Sequence, residues 1–163
     1  MTRILSLDDE PELLALYRLI LERRGYEHIS TTDSHQALDI LRTEPIDLFT
    51  QDLLHPGMDG WQVLGILRSE PKLNSIPVLI ISSVVSIAKA TLDTTVYDYL
   101  SKPFSVPELV DAVERQLVKH GKPLPAQAAR LRASTRQGSI AGSAVAQARS
   151  TAQANTTLRK DET

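Results

Sequence analysis

The chain of 163 residues contains no cysteine. Disulfides and thiolate metal sites are therefore excluded. Aromatic residues are scarce, at 4% of the chain. No apolar run approaches the ~20 residues of a membrane span. Met1-Thr2-Arg3-Ile4-Leu5 enters a strand directly and has no signal-peptide layout. A cytoplasmic protein without membrane partners is expected. The net charge of −2 is small but unevenly distributed. From Met1 to Gly121 there are 11 Lys and Arg against 18 Asp and Glu; from Lys122 to Thr163 there are 7 against 2. An acidic body thus carries a basic tail, and the two are distinct physical objects.

The body alternates short β-rich runs with helical patterns. Strands are expected at Ile4–Leu7, Tyr26–Thr31, Ile46–Gln51, Pro77–Ser82 and Tyr97–Leu100. Pro77–Ser82 is continuously apolar, as a strand covered on both faces should be. Helical spacing follows each strand. Asp9-Glu10-Pro11-Glu12 reads as a helix start, Gly25 as a stop, and Ser34 as a helix cap. Leu53–Gly60 reads as a loop, with Asp59-Gly60 as a turn signal. Val106–Val118 carries a clear apolar stripe, whereas Ile87–Leu92 is poorly patterned. Five β units alternating with five helices predict a doubly wound parallel sheet.

Residues 1–121 form the expected folded domain. Pro123-Leu124-Pro125 marks a break, and residues 122–163 are rich in Ala, Gln, Ser, Thr and Arg. Ala126–Arg136 and Ala141–Ala154 have helix-favouring composition, but too little apolar surface for a separate core. This tail is expected to be flexible, or helical and docked. It has no recognisable DNA-reading unit, so nucleic acid is not an expected partner.

Asp8 and Asp9 end the first apolar run and Asp52 ends the third. In a parallel α/β sheet, the carboxyl ends of strands open onto a shared crevice. Carboxylates gathered there repel one another unless a cation intervenes, and oxygen-only ligands suit Mg²⁺, Mn²⁺ or Ca²⁺. Ser82 ends the fourth strand and Lys102-Pro103 follows the fifth.

These stretches are Leu7-Asp8-Asp9-Glu10-Pro11, Asp52-Leu53 through Pro56-Gly57-Met58-Asp59-Gly60, Ile80-Ile81-Ser82-Ser83 and Tyr99-Leu100-Ser101-Lys102-Pro103-Phe104. In order and spacing they resemble the receiver domain of bacterial two-component response regulators, over about Thr2 to His120. The resemblance implies a flavodoxin-like sheet of order 2-1-3-4-5. It implies a phosphoacceptor at Asp52 and Mg²⁺, with Mn²⁺ as a substitute, held by Asp8, Asp9, Asp52 and the backbone carbonyl of Leu54. Lys102 and Ser82 would bind the phosphoryl group, Tyr99 would be an aromatic switch, and Lys102-Pro103 a cis peptide. The implied protein is not an enzyme acting on a separate substrate. It catalyses only its own phosphotransfer and dephosphorylation.

Its expected phosphodonor is a sensor histidine kinase or phosphotransfer protein, and its expected output is a protein contact, with a homodimer among the candidates. No output domain is recognisable, so a receiver-only regulator or relay intermediate is expected. Two alternatives are a non-phosphorylated pseudo-receiver and a Mg²⁺-dependent phosphohydrolase with an aspartyl-phosphate. The chain departs from the family pattern in several places. His55 stands where Met is usual and could titrate near neutral pH beside the site. Leu54 and Val84, at positions that tune phosphoryl lifetime in receivers, are both apolar, so slow hydrolysis is expected. The span from Ser82 to Lys102 is about two residues short, so the fourth helix should be short or distorted.

Overall fold

The computed structural model describes residues 1–93, 96–130 and 133. Its elements run β1 (Arg3–Leu7), α1 (Pro11–Glu22), β2 (Glu27–Thr31), α2 (Ser34–Thr43), β3 (Leu48–Gln51), α3 (Gly60–Ser69), β4 (Val78–Ser82), α4 (Val85–Thr91), β5 (Tyr97–Ser101) and α5 (Val106–Lys119). The strands form one parallel sheet of order β2-β1-β3-β4-β5, the expected topology. Every residue of β3 and β4 is buried. This is why Pro77–Ser82 reads as unbroken apolar sequence rather than as an alternation.

Strand alternation sends Leu5, Leu7, Phe49, Val78 and Ile80 to one face, against Leu38, Leu41, Val63, Leu64 and Leu67 of α2 and α3. The opposite face carries Ile4 and Ser6, and α1 and α5 meet each other there. A short polar chain crosses that face. Thr50 Oγ1 donates to Ser6 Oγ at 2.7 Å, and Ser6 Oγ lies 2.9 Å from His28 Nε2. Burial, reinforced by Arg18, lowers the His28 pKa to about 4, so this imidazole is neutral near pH 7.

Helix ends refine the expected caps. Asp33, not Ser34, caps α2 by accepting from His35 N and Gln36 N. Ser34 is the first helical residue, and its hydroxyl instead donates to Met58 O at 3.1 Å. Asp59 does more than mark a turn: it forms a capping box with Gln62 at the start of α3. Ser105 and Glu108 form a second box on α5. Helix α4 has only seven residues and no capping side chain. Gly25 ends α1 in the left-handed region at φ +85°, a conformation costly for other residues.

After α5 the chain stays attached to the sheet for a few residues. Thr2 Oγ1 donates to Pro123 O at 2.6 Å, and Lys122 Nζ lies 3.3 Å from Asp47 Oδ1. The chain divides into Met1–Pro125 and Ala126–Thr163. In the second unit, Ala126–Arg130 and Ala133 are helical. The helix-favouring stretch 141–154 and the rest of the tail lie outside the described residues, as do residues 94 and 95. Among the described residues no helix is long and apolar enough to cross a membrane.

Candidate functional site

Five residues named from sequence meet at the carboxyl edge of the sheet. Asp8 follows β1 directly and Asp52 follows β3, so the parallel register brings both to one end. Ser82 is the last residue of β4, and Lys102 follows β5. The Asp8 and Asp52 side chains are 2% and 6% exposed, and Ser82 is fully buried. Asp9 stands exposed on the rim.

The Lys102 ammonium bridges the carboxylates. Nζ lies 2.7 Å from Asp8 Oδ2, 2.8 Å from Asp52 Oδ2 and 3.3 Å from Glu10 Oε1. Burial by itself would lower the Lys102 pKa, but its hydrogen bonds to Asp52 and Asp8 outweigh that and raise it. It is a fixed cation at any physiological pH. Burial raises the Asp8 pKa, and the Lys102 hydrogen bond only partly offsets this. The other Asp52 oxygen, Oδ1, accepts from Ser82 Oγ at 2.6 Å and from Leu54 N at 3.0 Å. Both oxygens of Asp52 are thus oriented by donors, and the residue has one defined pose.

Asp52 and Lys102 line an open cleft of about 590 Å³, with Asp9, Glu10, Leu54 and Ser83 around them and Leu13, Leu16, Pro103 and Phe104 on the apolar side. The Lys102–Pro103 peptide is cis. Carboxylate oxygens of Asp8, Asp9 and Glu10 lie within 4.8 Å of one another. This donor set is all oxygen and anionic, which fits a hard divalent cation such as Mg²⁺. Glu10 was legible only as part of a helix start. At the N-cap its side chain makes no capping bond, and it reaches Lys102 instead. Asp8 Oδ1 accepts from Glu10 N at 3.1 Å.

Three residues with expected roles lie away from the cleft. Tyr99 packs against the core on the α2–α3 side of the sheet. Its buried hydroxyl has no hydrogen-bond partner among the described residues, and Lys89 Nζ sits 5.7 Å from its ring centroid. Val84 is partly buried against the same core, so Ser83 rather than Val84 faces the cleft. His55 is buried toward α2. Its Nδ1 lies 2.7 Å from Pro56 O and 3.3 Å from Ser34 Oγ. The Ser34 hydroxyl is committed to Met58 O, so the bonding pattern makes Nδ1 the protonated nitrogen.

Sequence comparison agrees with this geometry. The chain is 38% identical over 116 residues to response regulator GtcR of Aneurinibacillus migulanus, covering 70% of this chain and 47% of that protein. It is 33% identical over 116 residues to sensor histidine kinase GacS of Pseudomonas protegens, covering 68% of this chain and 13% of that protein. The chain therefore spans half or less of the length of these relatives. The response regulator protein TrrA of Thermotoga maritima, solved in complex with Mg²⁺ and BeF, superposes with a TM-score of 0.63 at 28% identity, over 71% of this chain and 99% of that one. Residues 4–114 match the response regulator receiver domain. With that match added to the 2-1-3-4-5 sheet and its acidic cleft, the chain belongs to the response regulator receiver family of two-component signalling.

Proposed function

We propose that Asp52 accepts a phosphoryl group, and that the donor is the phosphohistidine of a sensor histidine kinase or of a phosphotransfer protein. One observation carries the reading. The Asp52 carboxylate is held between a hydroxyl at 2.6 Å and an ammonium at 2.8 Å, at the floor of an open acidic cleft.

A carboxylate is a weak nucleophile, so the site must act through positioning and charge. An Asp52 oxygen attacks phosphorus, the P–N bond to the donor imidazole breaks, and the imidazole leaves with the bonding pair. Lys102 keeps its proton and donates to a phosphoryl oxygen, which spreads the added negative charge. Ser82 turns its hydroxyl from Asp52 to the phosphoryl group. That reorientation, transmitted through β4 and α4, alters the surface offered to a partner. Tyr99 on the adjacent strand would respond to it.

Asp8, Asp9, Asp52 and the Leu54 carbonyl would hold the metal, with Glu10 beside them. Bound there, Mg²⁺ or Mn²⁺ would neutralise phosphoryl charge and align the transfer. Leu54 is 53% exposed at the cleft and offers a hydrolytic water no polar partner, in keeping with slow loss of the phosphoryl group. Residues 1–121 would carry this chemistry in the cytoplasm, with residues 122–163 as an appendage. The activity is confined to the chain's own phosphotransfer and dephosphorylation.

Beryllofluoride, a phosphoryl mimic, tests the reading. Trp61 lies in the first turn of α3, packed partly on the core. Its fluorescence should change on beryllofluoride addition only with Mg²⁺ present, and Asp52→Asn should abolish the change. An equal response in Asp52→Asn would contradict the proposal.

A further inference from the structure

Gln51 is 1% exposed at the end of β3, next to the acceptor. In register it stands between Leu7 and Ile80, on a face otherwise packed with apolar side chains. An apolar residue would be the simpler choice there, because a buried amide needs partners for all its polar atoms. Gln51 has one. Its Nε2 donates to Gly60 O at 2.5 Å, while Oε1 is buried and unpartnered among the described residues. A half-satisfied buried amide is a poor stabiliser. What it joins is informative: Gly60 opens α3, and residues 52–59 form the loop between the two bonded groups.

The closure is tight on both sides. Gly60 N donates to Leu53 O at 3.2 Å. A Cβ on Gly60 would come within 2.5 Å of Leu53 Cα and 2.6 Å of Asp52 O. The start of α3 therefore rests on the backbone of the acceptor itself, and the Gln51 amide holds it there.

We infer that Gln51 is a positioning residue for phosphoryl uptake: it fixes the start of α3 against Asp52 and Leu53 and so sets the pose of the Asp52 carboxylate and the Leu54 carbonyl. The inference rests on Asp52 being the acceptor. Its signature is a separation of function from stability. Gln51→Met keeps the volume, removes the amide and removes the unpartnered Oε1. The variant should melt at or above the wild-type temperature, yet take up phosphate more slowly.

The experiment uses the full chain with acetyl phosphate and saturating Mg²⁺, read by intact mass, alongside thermal unfolding. Gln51→Met and Gln51→Leu should slow uptake by about fivefold or more, because a small misplacement of reacting groups is costly in rate. Mg²⁺ alone, titrated by Trp61 fluorescence, should bind more weakly to both. Uptake equal to wild type in folded variants would overturn the inference while leaving Asp52 as acceptor. A loss that follows the folded fraction would overturn it equally, because it would mark Gln51 as packing only. Absence of Asp52-dependent uptake in the wild type would remove both readings together.

Discussion

The hydroxyl of Ser82 lies 2.6 Å from Oδ1 of Asp52, while the Lys102 ammonium holds Oδ2 of the same carboxylate. The two donors approach from neighbouring strand ends: Ser82 closes β4 and Lys102 follows β5. Ser82→Ala would leave Oδ1 with the Leu54 amide alone. Phosphoryl uptake from acetyl phosphate should fall by roughly a hundredfold to a thousandfold, the range for losing one transition-state donor. Stability should fall by about 1 kcal/mol, the net worth of one buried hydrogen bond. Intact mass and urea unfolding measure the two effects separately.

Lys102 occupies the space between Asp8 and Asp52 that a metal would share. Lys102→Met should therefore act in opposite directions on two quantities. Phosphoryl uptake should drop roughly a hundredfold for want of the charge clamp. Mg²⁺ should bind more tightly, because the site loses a competing cation. The metal-free variant should also be less stable at neutral pH, since buried Asp8 and Asp52 lose their counter-charge. Mg²⁺ titration by Trp61 fluorescence would contradict this if affinity fell along with uptake.

His28 gives a pH dependence that owes nothing to the acidic cleft. Its folded pKa of about 4 lies below its ordinary value of 6.5 because burial disfavours the cation. Above pH 6.5 the imidazole is neutral in both folded and unfolded chains, and its contribution is fully present. As pH falls from 6.5 towards 4 the unfolded chain binds a proton that the folded chain refuses. Stability should decline over that window by on the order of 3 kcal/mol. His28→Gln should flatten the decline. Urea midpoints at pH 7, 6 and 5 for the two proteins provide the comparison.

Much of the cleft was legible because it depends on strand ends. Asp8, Asp52, Ser82 and Lys102 each terminate or follow an apolar run, and a parallel sheet gathers such ends whatever the loops do. The five strands could be read for the same reason. What remained hidden depends on chain segments meeting at a distance. Glu10 reads as a cap, and only the folded cleft shows it turned towards Lys102. Asp33 and Ser34 can both cap α2, and the choice follows from Ser34 being taken by Met58 O, 24 residues away. Gln51 reads as a polar residue ending a strand. Its partner becomes visible only when the start of α3 folds back onto Asp52.

Gly60 offers a stability test of that return. Gly60→Ala places a methyl within 2.6 Å of Asp52 O and 2.5 Å of Leu53 Cα, and neither backbone atom can yield cheaply. Forcing an extra methyl into this packing should cost about 1–3 kcal/mol. Uptake should fall as well, because relief of the clash moves the acceptor. Alanine at Gly65, whose Cβ would meet nothing within 4 Å, should instead be neutral or stabilise by about 0.5–1 kcal/mol. Thermal melts of the two variants side by side compare a glycine required by close approach with one that is not.

Phosphoryl uptake, metal coupling and the role of Gln51 all depend on Asp52 being the phosphoacceptor. The most direct measurement is intact mass after incubation with acetyl phosphate and Mg²⁺, followed by peptide mapping of the modified residue. Wild type should gain a single phosphoryl increment that requires Mg²⁺, maps to the peptide containing Asp52 and disappears in Asp52→Asn. An unmodified wild-type chain, or an increment that persists in Asp52→Asn, would contradict it.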